Sequence, residues 1–239
     1  MSRVDDILRN CVQLVDLRLK DFSCRQPAFH IFVPNSKLKS LQLDSYNTVG
    51  AYLGLVPYLE TFACGGQPTI LHYGVVPRLR HVSLNFLQTR DDGKDDSSGS
   101  DRTYQISKFF LGEPPPLEYL VLQLRGRQFV NNSGKVGAAG SLDVQVEHHQ
   151  QHHHLKELVV IGFGGAAWQT GFVKQIIQAS PILERVHLLD GHVVDDEDRE
   201  LVGLEIVRRR REWHECERLK VLDELTDGIS SPHLKIVLE

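Results

Sequence analysis

Apolar side chains return along this chain in one short phrase: leucine, two variable residues, leucine, one variable residue, leucine. It appears as Leu14-Val-Asp-Leu-Arg-Leu19, Leu38-Lys-Ser-Leu-Gln-Leu43, Leu59-Glu-Thr-Phe-Ala-Cys64 and Leu79-Arg-His-Val-Ser-Leu84. Three further copies are Leu117-Glu-Tyr-Leu-Val-Leu122, Leu155-Lys-Glu-Leu-Val-Val160 and Leu183-Glu-Arg-Val-His-Leu188. The second half of each phrase alternates apolar and variable positions, which is the period of a strand with one face buried. A single strand of this kind cannot bury its leucines alone. Stacking it on its neighbours makes a shared core and a parallel sheet.

The first four copies start 24, 21 and 20 residues apart, inside the 20–29 residues of a leucine-rich repeat. Pro57, Pro77, Pro116 and Pro181 lie one or two residues ahead of a phrase. Proline, with its fixed φ and missing N–H, suits the turn that leads into a strand. Later spacings of 38, 38 and 28 residues break the rhythm. Residues 90–102 (RDDGKDDSSGSDR) hold no apolar side chain and read as a disordered insertion. Residues 126–152 read as a low-complexity linker with a short alternating segment at Leu142–Val146 and histidines at its end.

From residue 153 the pattern changes. A strand at Leu155–Ile161, a glycine turn, a helix over Phe172–Ala179 and a strand at Leu183–Leu189 make a βαβ unit. Beyond it are expected a charged helix over Glu197–Trp213, another over Glu217–Leu225 and a closing strand at Leu234–Leu238. The expected fold is α/β, an irregular leucine-rich-repeat solenoid with a parallel sheet and a βαβ-containing C-terminal cap. Its parts are a repeat region over 1–125, the linker, and a C-terminal region over 153–239 that continues the sheet.

Composition narrows the class of function. The 239 residues carry 27 Lys+Arg against 31 Asp+Glu, a formal charge of −4. That argues against a nucleic-acid or polyanion binder, which usually carries a basic excess. No apolar run approaches 18 residues, and the first residues lack a signal-peptide layout, so neither a membrane span nor secretion is expected. Cys11, Cys24, Cys64 and Cys216 have no metal-ligand or disulfide-scaffold spacing and read as buried thiols of a cytoplasmic or nuclear protein.

One family resemblance rests on particular words. His154-Leu-Lys-Glu-Leu-Val-Val-Ile-Gly-Phe-Gly-Gly165, a helix, and then Ala179-Ser-Pro-Ile-Leu-Glu-Arg-Val-His187 resemble the C-terminal region of plant F-box/leucine-rich-repeat proteins, the FBD-type domain. The ending Ser230-Ser-Pro-His-Leu-Lys-Ile-Val-Leu238 is similar to that family's closing strand. The resemblance implies the substrate-recognition part of a ubiquitin-ligase receptor, with a Skp-type adaptor and a cullin as partners only where an F-box is supplied elsewhere. Only thirteen residues, with the short segment Val4–Asn10 among them, precede the first phrase, and no F-box is recognisable in them.

Three stretches invite a chemical reading. Gly162-Phe-Gly164-Gly-Ala-Ala167 is a formal G-x-G-x-x-A between a strand and a helix, with Asp190 ending the next strand. That is the outline of a dinucleotide turn and supports a cofactor-binding enzyme as the alternative reading. Against it, Trp168 and Gly171 are expected to interrupt the helix, and Asp190 lies further on than that motif requires. His148-His-Gln-Gln-His152-His-His154 offers imidazoles to adventitious metal but no fixed spacing, although His154, opening a strand, has room for a packing role. Arg208–Arg211 reads as a solvated helix face, and the acidic run Asp195–Asp198 as a loop and helix start. No nucleophile with a local catalytic context is present, so neither enzyme activity nor a cofactor or metal is expected.

What remains is an interaction surface. In a stacked array the third and fifth residues of each phrase point away from the core and line one concave face. The candidates on it are Arg18, Gln42, Ser83, Tyr119, Arg185 and His187, with Tyr119 as the aromatic anchor. The set is mixed in charge, which fits an unknown substrate protein better than a polyanion. A second interaction reading is the repeat region of a plant immune receptor, which would need an upstream nucleotide-binding module.

Overall fold

Five of the seven phrases, and the closing strand, are entered through one recurring turn. In the computed structural model, Leu14, Leu59, Leu79, Leu155, Leu183 and Leu234 each donate their backbone N–H to the carbonyl three residues earlier, at 2.9–3.4 Å. Pro57, Pro77, Pro181 and Pro232 occupy the second position of four of these turns, where a φ near −65° is already the required value. Pro116 does not share this role: Leu117 donates to the Pro115 carbonyl instead. The structure describes residues 3–20, 28–45, 50–66, 70–87, 110–112, 115–125, 152–193, 206–208, 213–229 and 231–239.

In chain order the elements are α1 (Arg3–Asn10), β1 (Asp16–Leu19), β2 (Ala28–Phe32), β3 (Ser40–Ser45), β4 (Gly50–Leu55), β5 (Thr61–Gly66), β6 (Ile70–Val75) and β7 (His81–Leu87). There follow β8 (Phe110–Gly112), β9 (Tyr119–Arg125), β10 (Glu157–Ile161), α2 (Ala167–Ala179), β11 (Arg185–Leu189), β12 (Gly191–Val193), β13 (Ile206–Arg208), α3 (Glu215–Thr226) and β14 (Lys235–Leu238). All seven phrases lie in one eight-stranded parallel sheet, in the order β1-β3-β5-β7-β9-β10-β11-β14. The closing strand takes the eighth place.

A second parallel sheet, β2-β4-β6-β8, was not anticipated. Through the first half the chain alternates, one strand to each sheet. Then the second sheet stops and helices fill the intervals, α2 between β10 and β11 and α3 between β11 and β14. The core follows that exchange. Leu41, Phe62 and Leu84 of the large sheet share one cluster with Phe29, Leu53 and Leu71 of the small sheet, and with Ile176 and Leu225 of the two helices. The fourth and sixth residues of the phrases are buried from β3 onward. Leu17 and Leu19 are only half-buried because β1 is an edge strand with a neighbour on one side.

Several expectations are corrected. Helix α2 begins at Ala167 and runs through Trp168 and Gly171 without interruption. The expected helix over Glu197–Trp213 contains a strand instead, since Ile206–Arg208 pairs antiparallel with Gly191–Val193. Two β-branched residues beside a strand edge favour that pairing over a helix. Cys64 is buried, but Cys11 and Cys216 are exposed free thiols. Cys24, residues 90–102, residues 126–151 with Leu142–Val146, Asp195–Asp198 and Arg209–Arg211 lie outside the described residues. No helix among the described residues is long and apolar enough to cross a membrane.

At the end of the histidine tract, His152 rather than His154 has the packing role. His153 and His154 are exposed, while the half-buried His152 donates its backbone N–H to the Ala179 carbonyl at 2.7 Å and joins the end of α2 to the start of β10. Burial first, and then the neighbouring His153, hold its imidazole pKa below the ordinary 6.5. The folded state therefore binds fewer protons at this residue than the unfolded chain. Its contribution is complete above pH 6.5 and is lost as pH falls through the lowered value. The melting temperature is expected to drop more steeply from pH 7 to pH 5 in the native chain than in His152→Asn. Parallel pH–melting curves for the two proteins would show otherwise.

Candidate functional site

Because the strands stack without slipping, equivalent positions of the phrases form straight rows across the large sheet. The third residues run Asp16, Ser40, Thr61, His81, Tyr119, Glu157, Arg185, Lys235, each opposite the next. Beside them run the fifth residues Arg18, Gln42, Ala63, Ser83, Val121, Val159, His187, Val237. All six candidate residues thus share one face. Arg18 and Gln42 are direct neighbours, and Tyr119 stands between His81 and Glu157. Six strand spacings, roughly 29 Å, separate Arg18 from Arg185. The face is wide enough for an extended segment and too spread out to act as a single pocket.

The electrostatics of the rows differ. At the second position of the phrases Lys39, Glu60, Arg80, Glu118, Lys156 and Glu184 alternate in sign at every step. Their backbones form an unbroken ladder, each N–H bonding the carbonyl of the preceding member at 2.8–2.9 Å. Side chains pair as well: Lys39–Glu60 at 3.4 Å, Arg80–Glu118 at 3.5 Å and Lys156–Glu118 at 3.0 Å. The Lys156 hydrogen bond, helped by the charges of Lys156, Arg80 and His81 and opposed by partial desolvation, holds the Glu118 carboxyl below its usual range. Exposed pairs of this kind each contribute well under about 1 kcal/mol.

On the face itself Glu157 is the node that composition and spacing did not single out. Its carboxylate meets Arg185 at 2.8 Å and His187 Nε2 at 3.7 Å. Tyr119 is half-buried beside it, 5.8 Å from the His81 ring between centroids. Burial first, then the Glu157 charge, push the Tyr119 phenol upward, with Arg185 pulling the other way. The phenol therefore stays protonated at neutral pH and can donate a hydrogen bond.

Not every outward position is available. Val121, Val159, Ile161 and Leu189 point away from the main core yet are buried, forming a second small cluster against Tyr119. β12, which follows directly on β11, lies against β10 on the way to its pairing with β13. The open part of the face is therefore the largely polar stretch from β1 to β7, apart from the buried Ala63, with Tyr119, Arg185 and His187 at the margin of the covered apolar part. The apolar character of Val121 and Val159 at outward positions was the available sign of this cover.

The glycine turn is filled from within the chain. Gln169 Oε1 accepts the Gly164 N–H at 2.7 Å and the Ala166 N–H at 3.3 Å, while Nε2 donates to the Gly162 carbonyl at 3.0 Å. These are amides that a dinucleotide would need for its pyrophosphate. Gly165 takes φ +72°, and a Cβ there would lie 2.9 Å from the Trp213 indole, which also stacks on Phe163 with centroids 6.3 Å apart. The glycines are explained by a left-handed backbone and by the indole seated on them. Among the described residues no group of three or more His, Cys, Asp or Glu side chains is placed to hold a metal ion. No family model matches the chain, and neither does any curated protein or solved structure.

Proposed function

We propose that this protein is a non-enzymatic interaction module, a leucine-rich-repeat solenoid that captures a protein segment on the outward face of its large sheet. The supporting observation is the strict register, which gathers Arg18, Gln42, Ser83, Tyr119, Arg185 and His187 from five strands onto one face. A mixed polar surface with one aromatic anchor supports recognition of a protein segment. The words shared with plant F-box/leucine-rich-repeat proteins extend this reading to the substrate-receptor part of a ubiquitin ligase. A Skp-type adaptor and cullin then join only through an F-box supplied elsewhere. Filling of the Gly162–Ala167 turn by Gln169 and Trp213 weighs against the cofactor-enzyme alternative.

Affinity purification of the tagged chain from its own cells tests the reading, with a triple Arg18→Ala, Tyr119→Ala, Arg185→Ala variant alongside. The native protein is expected to retain a partner that the triple variant loses by roughly tenfold or more. An Arg78→Ala control, at the turn where Arg78 stacks on Tyr58, should retain it. Equal recovery with all three proteins would refute the outward face as the binding surface.

A further inference from the structure

Along the second-position row every charge faces its opposite. The outward row abandons that rule at its C-terminal end. Arg185 and Lys235 are direct partners in register, two cations side by side. Like charges at such a position repel. The one carboxylate at hand, Glu157, is already shared between Arg185 at 2.8 Å and His187 at 3.7 Å. Among the described residues no carboxylate lies within ion-pair distance of Lys235. The acids nearest along the chain are placed elsewhere. Glu184 belongs to the second-position row, and Asp190 and Glu239 lie beyond the far ends of β11 and β14, roughly 13–17 Å along the strands from the Arg185–Lys235 pair. Arg185 and Lys235 are both exposed.

We propose that Arg185 and Lys235 receive an aspartate or glutamate side chain of an extended acidic segment of the partner. The assignment rests on the recognition reading above and adds the chemistry of the segment recognised. The guanidinium has five N–H donors in a fork, so one edge can keep Glu157 while the other meets the incoming carboxylate. Lys235 adds a second cation without needing to break an existing pair. Two cations offset by one resident carboxylate leave about one uncompensated positive charge, enough for a carboxylate and short of a phosphoryl group carrying nearly two negative charges. A nucleic acid is further disfavoured by the overall charge of −4.

The test uses the full chain, immobilised, against a displayed library of random dodecapeptides. Recovered peptides are expected to contain Asp and Glu at roughly twice the input frequency or more, and their binding should weaken about tenfold as salt is raised from 50 to 300 mM. Lys235→Glu, at an exposed position with no ion pair among the described residues, should weaken the acidic peptides roughly tenfold while melting at the native temperature. Arg185→Gln should weaken them as well, and Arg78→Glu, which changes net charge as much as Lys235→Glu but lies elsewhere, should not. Recovery of neutral or basic peptides that bind this face would overturn the acidic assignment while leaving the recognition face standing. Unchanged binding of acidic peptides by both Lys235→Glu and Arg185→Gln would overturn it too. A library that returns no binder would overturn both readings.

Discussion

Gly74→Ala is expected to cost about 3 kcal/mol of stability, near the upper end of what overpacking usually costs. Gly74 sits on β6 beside Gly54 of β4, where the small sheet is drawn together next to a shift of register between Ile31 and Phe32. A Cβ on Gly74 would lie 2.2 Å from the Gly54 carbonyl oxygen and 3.0 Å from the Gly54 Cα. Those are backbone atoms, so no side chain can rotate away, and β4 must move bodily. In a chain of this size the loss corresponds to a melting temperature lower by roughly 6–12 °C. Gly171→Ala is the matched control. It lies inside α2 with nothing within 4 Å of the added carbon, and it should gain about 0.5–1 kcal/mol by helix propensity. Thermal melts of the two variants should move in opposite directions; a Gly74→Ala protein melting with the native one would contradict the close approach.

Gln169→Leu is expected to be comparably costly, about 3 kcal/mol, for a different reason. Leucine keeps the bulk and the helix propensity of the buried glutamine but none of its hydrogen bonds. The Gly164 and Ala166 amides and the Gly162 carbonyl would all lose the partner they now have. A polar group left unpaired costs roughly 1–3 kcal/mol when buried; Gly162 and Gly164 are half-buried and Ala166 is exposed, so water reaching the turn recovers part of that. The midpoint of chemical denaturation should fall, and hydrogen exchange at the Gly164 and Ala166 amides should accelerate. Unaltered exchange at both would mean that Gln169 is not what protects the turn.

The large sheet was legible because its phrase carries two periods at once, alternation within a strand and a spacing of about twenty residues between strands. The small sheet had no such mark. Ala28–Phe32, Gly50–Leu55 and Ile70–Val75 share no leucine phrase, and their kinship shows only in the column His30, Tyr52, His72, whose rings lie 5.6 and 6.2 Å apart. Ile206–Arg208 lies in a stretch whose Leu204, Ile206, Val207 and Trp213, flanked by glutamates, suggest a helix. Its pairing with Gly191–Val193, remote in sequence, decides otherwise. Positions on the candidate face followed from alternation alone. Which of them stay uncovered could not, because cover over Val159 and Ile161 depends on where β12 returns. Gln169 was within reach: it stands three residues after the last residue before α2, where a glutamine commonly bonds back to the helix start.

The alternation of sign along Lys39, Glu60, Arg80, Glu118, Lys156 and Glu184 has a repeat unit of two strands, not one. Removing or duplicating a single interior repeat would bring two like charges together at the join. Removing or duplicating two adjacent repeats would leave every contact between opposites. Each contact is small, on the order of a few tenths of a kcal/mol, yet the penalty falls on one parity of length change and spares the other. An array built this way lengthens and shortens most readily in pairs.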